Sequence, residues 1–155
     1  EIPPGHGCLA MIGLLQRVTS AEVRVDGQPV ADIGGGLLVF LGVERQDGKA
    51  SAERLLQRLL GYRVFPDDQQ RMNLNLKDVG GGLLLVPQFT LVADTGKGTR
   101  PGFSRAAPPE QGRRLFEHFC ARARTLHRPV ANGVFGADMQ VALVNDGPVT
   151  FWLQV

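Results

Sequence analysis

The 155-residue sequence has only two cysteines, one tryptophan and one tyrosine, and it contains no long apolar run. Cys8 and Cys120 are far apart and neither is close to a second cysteine or a paired histidine, which excludes a disulfide framework and a cysteine-based metal site. The lack of a long apolar run excludes an ordinary membrane-spanning helix. We also expect no secretory signal, so these absences predict a cytoplasmic protein with no membrane partner.

The sequence also lacks a strong charge of either sign. It has 17 basic and 15 acidic residues, which gives a net charge of +2. This charge is too small to indicate a nucleic-acid-binding protein by itself, so such a partner would have to meet a local basic patch. A content of 43% hydrophobic and 21% charged residues is typical of a soluble globular protein, and the length predicts one domain.

Short apolar segments separated by turn residues make up most of the sequence. Asp26-Gly27 lies between two alternating segments and predicts a hairpin, and the segment 138–155 predicts two strands around the turn Asn145–Pro148. Only the stretches 49–60 and 108–126 have helical spacing. This pattern predicts an α+β domain in which two main helices pack on a largely antiparallel or mixed sheet.

The first ten residues are rich in proline and glycine, and they precede Met11. We expect residues 1–10 to be a tag or an N-terminal extension outside the fold, and the domain to comprise residues 11–155.

No side chains form a recognisable catalytic group. His118 and His127 lie within and after the second predicted helix, which favours surface or helix-end roles, and Cys120 has no activating neighbour in sequence. The motif "GGGLL" occurs twice, at residues 34–38 and 80–84, but without the lysine of a phosphate-binding loop, so turn glycines are predicted there.

Two segments are more informative. Residues 83–91 predict a core strand that ends in proline, glutamine and threonine, which indicates either a frayed end or the edge of a site. The loop 93–107 combines glycines with basic residues and Phe103, and it predicts either a solvated loop or a phosphate-contacting one. The second predicted helix could extend this basic patch with Arg113, Arg114, Arg122 and Arg124.

Seven stretches occur in the order and spacing found in the D-aminoacyl-tRNA deacylases: "LLQRV", "GLLVFLGV", "LLGYRVF", "MNLNL", "QFTLVADT", "RPGFS" and "FGADMQVALVNDGPVTFWLQV". From Met11 to Val155 the chain resembles that family. The resemblance implies a barrel-like α+β fold, a homodimer and no metal or other cofactor. It also implies hydrolysis of the ester in D-aminoacyl-tRNA, and of glycine mischarged on alanine tRNA, as chiral proofreading in translation.

The resemblance assigns a catalytic role to Gln88, Phe89 and Thr90, in a motif that begins here with Pro87 and that usually reads Ser-Gln-Phe-Thr in the family. Pro87 has no hydroxyl and no N–H, so we expect the backbone N–H groups of Phe89 and Thr90 to stabilise the oxyanion. Gln88 and Thr90 would orient the adenosine and water, and the neighbouring ribose hydroxyl would assist.

A second family motif is implied at Gly147 and Pro148. Joined by a cis peptide bond, they would enter the partner subunit's pocket and exclude L-aminoacyl groups with their carbonyls, while Arg17 holds this element. Further roles implied are substrate binding by Pro87 and Met72, and tRNA binding by Lys97, Arg100 and Phe103.

Two other functions remain open at this stage. A related deacylase that removes L-alanine from threonine tRNA has a first motif beginning with proline, as here. Phe89 and the stretch "NDGPVTF" favour the D-specific enzymes instead. The chain could also be a non-catalytic tRNA-binding module, because a fold alone does not establish activity.

Overall fold

A six-stranded mixed sheet organises residues 11–155, which are the residues that the computed structural model describes. The prediction for residues 1–10 lies outside them. The strands are β1 (Ile12–Val25), β2 (Gln28–Ile33), β3 (Gly36–Gly42), β4 (Phe65–Pro66), β5 (Met72–Leu74), β6 (Gly82–Pro87), β7 (Val130–Asn132) and β8 (Met139–Gln154). The helices are α1 (Lys49–Gly61), α2 (Leu76–Val79), the 3₁₀ helix Phe89–Val92 and α3 (Pro109–Leu126).

The long strand β1 lies at the centre of the sheet. It is antiparallel to β2, β3 and β8, while β6 is parallel to β3 and β7 is parallel to β6. Strand β2 also contacts β6 and β7, so the sheet curls into a nearly closed barrel. Strands β4 and β5 form a separate pair. The predicted α+β class, the mixed barrel-like sheet and the two main helices are confirmed.

Apolar residues on both faces of β3 and β6 build two cores. Leu37 and Leu83 pack against α1 and α3 in one core, whereas Leu38 and Leu84 face the inside of the curled sheet in the other. Because successive strand residues point to opposite faces, a strand buried on both sides is apolar throughout.

The two "GGGLL" segments pair with each other, in register, as the starts of β3 and β6. Gly36 lies opposite Gly82 and Leu37 opposite Leu83. A Cβ atom on Gly36 would lie 2.0 Å from the Gly82 carbonyl oxygen, so the close approach of the two backbones requires glycine. The prediction of turn glycines is right for Gly80, the left-handed cap of α2, and wrong for Gly36 and Gly82.

Two local predictions have different outcomes. The Asp26-Gly27 hairpin is confirmed, with positive φ at both residues. The predicted pair of strands around Asn145–Pro148 is wrong, because β8 continues through this segment without reversing. Residues on both sides of it pair with β1, and the extra residues form a bulge. No helix in residues 11–155 has the length and hydropathy needed to span a membrane.

Candidate active site

A pocket of about 450 Å³ opens where the carboxyl ends of β3 and β6 meet. Its floor includes Pro87, Gln88 and Phe89, and its walls include Phe116 of α3 and Phe135. Carboxyl ends of neighbouring parallel strands are a common place for a ligand site, since the chain turns away there and leaves a crevice. The mostly apolar lining suits a flat, apolar ligand group with few polar anchors.

The backbone after Pro87 turns at once into the 3₁₀ helix instead of continuing as a strand to Leu91. Gln88 N–H donates to the Leu41 carbonyl at 2.8 Å, and Leu91 N–H donates to the Gln88 carbonyl at 3.2 Å. The first N–H groups of a helix have no partner within it, which leaves those of Phe89 and Thr90 available. The turn packs closely on β3 because residue 42 is glycine.

The Thr90 hydroxyl is bound by an amide and not by a base. The Gln88 side-chain amide donates to Thr90 Oγ1. Within the described residues, no histidine, carboxylate or lysine is hydrogen-bonded to Thr90. A hydroxyl nucleophile needs an adjacent base, so the arrangement favours a positioning role for this side chain.

Pro87 breaks no hydrogen bond of the sheet. Because Gln88 N–H faces β3, the nitrogen of residue 87 faces the opposite side, towards β7. The pairing of β6 with β7 ends with Leu85 opposite Asn132, so this nitrogen lies beyond the ladder. Proline is therefore tolerated here.

The predicted basic loop reaches the pocket through an aromatic contact. Phe103 packs on Phe89 with ring centroids 5.3 Å apart, although Phe89 is 63% exposed. Asp94 and Gly102 exchange two backbone hydrogen bonds and so close the loop, whose exposed tip carries Lys97 and Arg100. The structure thus brings Phe103 to the pocket and leaves both cations in solvent.

Gly147 and Pro148 lie at the exposed tip of the bulge in β8. Four residues, 146–149, stand opposite Arg17 alone, because Asn145 pairs with Val18 and Thr150 with Gln16. The Asn145 side chain closes the bulge by accepting from Val149 N–H at 2.7 Å and donating to Thr150 Oγ1 at 2.9 Å. The Gly147–Pro148 peptide bond is cis, as the resemblance implied.

Arg17 ties this bulge to the rest of the domain. Its Nε donates to the Asp146 carbonyl at 3.0 Å and its Nη1 donates to the Val64 carbonyl at 2.6 Å. Val64 immediately precedes β4, whose partner β5 begins at Met72, a residue that is 48% exposed. None of Arg17, Met72, Gly147 and Pro148 lines the pocket of its own chain.

Two carboxylates lie beside the base of the basic loop. Asp47 is only 7% exposed, and its Oδ2 accepts from Glu44 N–H at 2.7 Å. Its Oδ1 has no hydrogen-bond partner in the described part of the chain. Burial raises the pKa of Asp47 and outweighs the opposing effect of hydrogen bonding, chiefly from the Glu44 N–H, and burial also raises the pKa of Glu44.

The remaining titratable candidates have structural roles. His127 follows α3 and its Nε2 is hydrogen-bonded to the Gly81 carbonyl at 2.6 Å. Burial raises the pKa of Cys120 to about 12, so the thiol is not a nucleophile. Residues 11–155 contain no group of three or more histidines, cysteines and carboxylates that could hold a metal ion.

Sequence reasoning missed most of the residues that line the pocket. Phe135, Gly136 and Met139 lie in the stretch "FGADMQV", which carried the resemblance but received no role because it has no acid–base chemistry. A signal was available at Gly112, because glycine within a helix costs about 1 kcal/mol and implies a packing reason. A Cβ atom there would lie 3.2 Å from Phe135 Cζ.

Comparison with solved structures establishes the architecture. A structure described as the c-Myc DNA unwinding element binding protein has a TM-score of 0.89 and 37% identity, over 93% of this chain and 98% of that one. A probable eukaryotic D-amino acid tRNA deacylase has a TM-score of 0.82 over 95% of this chain and 100% of that one. At 18% identity, the second match shows the fold alone.

Sequence comparison gives the family. A family model described as D-Tyr-tRNA(Tyr) deacylase matches residues 14–154. The D-aminoacyl-tRNA deacylase of Thioalkalivibrio sulfidiphilus is 62% identical over 145 residues, 94% of this chain and 97% of that protein. The D-aminoacyl-tRNA deacylase of Cronobacter sakazakii is 57% identical over 145 residues, 94% and 100% of the two chains. The class is therefore that of hydrolases acting on ester bonds. The chain belongs to the D-aminoacyl-tRNA deacylase family.

Proposed function

We propose that this protein hydrolyses the ester that joins a D-amino acid to the 3′-terminal adenosine of tRNA. The observation that carries the proposal is the apolar pocket lined by Gln88 and Phe89, next to the start of the 3₁₀ helix that contains Phe89 and Thr90. The adenosine end would enter the pocket, and its ester carbonyl would lie against the N–H groups of Phe89 and Thr90. By this reaction, D-aminoacyl groups and glycine mischarged on alanine tRNA are removed in the cytoplasm as translation quality control.

The chemistry requires orientation more than acid–base groups. Water attacks the ester carbonyl, and the negative charge that develops on the carbonyl oxygen is stabilised by the two fixed N–H donors. The bond to the ribose oxygen then breaks, and that oxygen takes a proton as the free amino acid leaves. Gln88 and Thr90 hold the water and adenosine, and the neighbouring ribose hydroxyl assists, which is consistent with the lack of a base beside Thr90.

Chiral selection is proposed to come from a second subunit. The Gly147–Pro148 tip is exposed and lines no part of its own chain's pocket, which supports its insertion into the pocket of a partner. There its carbonyls would accept from the substrate amino group and exclude an L side chain. Lys97, Arg100 and Phe103 are proposed to contact the tRNA backbone at the mouth.

Hydrolysis of matched substrates tests the proposed function. We expect D-tyrosyl-tRNA to be deacylated and L-tyrosyl-tRNA to be spared, as measured by loss of the aminoacyl label. If the enzyme instead removes L-alanine mischarged on threonine tRNA and leaves D-tyrosyl-tRNA intact, it has the L-alanine-specific activity that the motif beginning with Pro87 allows. Binding of both substrates without turnover at excess enzyme would indicate a tRNA-binding module.

The oxyanion role is tested by removing one backbone donor. Phe89→Pro deletes the N–H at the first position of a helix, where proline is otherwise accommodated. We expect kcat to fall about a hundred- to a thousand-fold. Phe89→Ala, which keeps the N–H and loses only the ring, should retain most of kcat, with an effect mainly on KM. Equal losses in kcat for the two variants would contradict the backbone mechanism.

A further inference from the structure

Arg113 places a positive charge at the rim of the pocket. It is the fifth residue of α3 and follows Gly112, which lines the pocket. Its guanidinium carbon is 5.3 Å from the centroid of the Phe135 ring, a pocket wall. Its Nη2 is 3.8 Å from the position of a Cβ atom on Gly136, which also lines the pocket.

Other arginines near this rim are already engaged. Arg45 Nε donates to the Ala106 carbonyl at 3.3 Å. Arg105 lies near the Glu44 carboxylate, where it counteracts the burial that raises the pKa of Glu44. Within residues 11–155, Arg113 likewise forms no ion pair, and the contact that holds its guanidinium is the face of the Phe135 ring, which does not neutralise its charge.

In the proposed binding mode, the negatively charged phosphodiester of the substrate lies on the same side of the pocket as the Arg113 guanidinium. An apolar pocket accepts a nucleobase but not a phosphate, because an unpaired charge is costly to bury. With the ester at Phe89 and Thr90 and the base between the apolar walls, the phosphodiester of the same nucleotide must stay at the rim. A guanidinium matches phosphate oxygens with two parallel N–H donors.

We propose that Arg113 binds the 5′-phosphate of the substrate's terminal nucleotide, an inference that rests on the proposed function. The neighbouring Arg114 is also exposed, but unlike Arg113 it does not stack on the Phe135 ring. It therefore provides a matched control of the same charge on the same helix.

The test compares two substrates that differ in this phosphate, D-tyrosyl-tRNA and D-tyrosyl-adenosine. For Arg113→Ala we expect KM for D-tyrosyl-tRNA to rise roughly tenfold with little change in kcat. For D-tyrosyl-adenosine, which has no 5′-phosphate, the variant should equal the wild type. Arg114→Ala should resemble the wild type on both substrates, and Arg113→Lys should recover part of the tRNA affinity.

The salt dependence gives an independent readout. Loss of one phosphate contact should reduce the slope of log KM against log salt by about 0.7 for a single strand. If Arg113→Ala raised KM equally for both substrates, Arg113 would only support the Phe135 ring, and the inference would be overturned. An active wild type with an unaffected Arg113→Ala would overturn it as well, leaving the proposed function intact. A wild type inactive on both substrates would overturn both.

Discussion

Asp47 is a carboxylate held in surroundings that disfavour its own charge. It lies under the base of the loop that borders the pocket, and Gln111 of α3 donates to its backbone carbonyl at 3.3 Å. Burial raises its pKa in the folded state above the ordinary value. Between the unfolded and folded pKa values the native protein binds more protons than the unfolded chain, so its stability falls as pH rises through this window.

Asp47→Asn should remove this pH dependence. We expect the free energy of unfolding of the variant, relative to wild type, to increase from pH 4 to pH 7, as measured by urea denaturation at a series of pH values. Asp68→Asn changes an exposed carboxylate and serves as the control. Parallel stability curves for wild type and Asp47→Asn would show that Asp47 does not titrate in this window.

Residue identity alone predicted the site only where side chains have recognisable chemistry or a motif. Pro87, Gln88 and Phe89 were predicted and do line the pocket, while Phe103 was predicted and packs on Phe89. Arg113 was predicted only as one of four helix arginines, because sequence does not tell which of them faces a ring far along the chain.

At the scale of elements, the bulge in β8 depends on one side chain. Asn145 bridges it through Val149 N–H and Thr150 Oγ1, so the tip has a fixed shape although its residues are exposed. The 3₁₀ turn after β6 depends likewise on the Leu41 carbonyl. Both features follow from pairing with a strand distant in sequence, and for that reason they were predicted as a turn and a strand.

Asn145→Ala should lower stability and chiral discrimination together. Two lost hydrogen bonds predict a decrease of about 1–3 kcal/mol in the free energy of unfolding. The ratio of D- to L-tyrosyl-tRNA hydrolysis should also fall, since the tip is no longer fixed. Asn145→Asp keeps the acceptor for the Val149 N–H, so its stability and discrimination should lie between those of wild type and Asn145→Ala.

The control is Gln140→Ala, at an exposed position on the same strand, which should change neither measurement. Unchanged discrimination in Asn145→Ala would count against a role for the tip.

At the scale of the molecule, pocket and tip belong to separate parts of the chain. Two exposed apolar residues of β8, Val144 and Trp152, lie on either side of the tip along the strand and are 56% and 51% exposed. Aromatic side chains such as that of Trp152 are enriched where another protein covers a surface. They are consistent with the proposed homodimer, in which each pocket is completed by its partner's tip.

Trp152→Glu should separate the subunits. We expect a monomer in sedimentation velocity, because a charge would be buried without a partner, and we expect reduced rejection of L-tyrosyl-tRNA. Val30→Glu, at an apolar position 46% exposed on β2, is the matched control and should stay dimeric. A dimeric Trp152→Glu with normal selectivity would exclude this face from the interface.

The fold class was predictable because apolar alternation and two helical stretches are local patterns. The pairing of the two "GGGLL" segments was not, since nothing local links Gly36 to Gly82. The pairing of the whole sheet also determines that the pocket and the tip lie apart in one chain. The sequence motifs therefore indicated both features but not the distance between them.

The burial of β6 on both faces has a consequence for how the pocket mouth responds to heat. Opening this strand locally would expose both cores at once, so we expect its amides to exchange with solvent only when the entire domain unfolds. The donors of Phe89 and Thr90 begin two residues after Pro87 and are anchored to that strand through Gln88. We therefore expect thermal motion to loosen the loop tip at Lys97 and Arg100 before it reaches the proposed oxyanion donors.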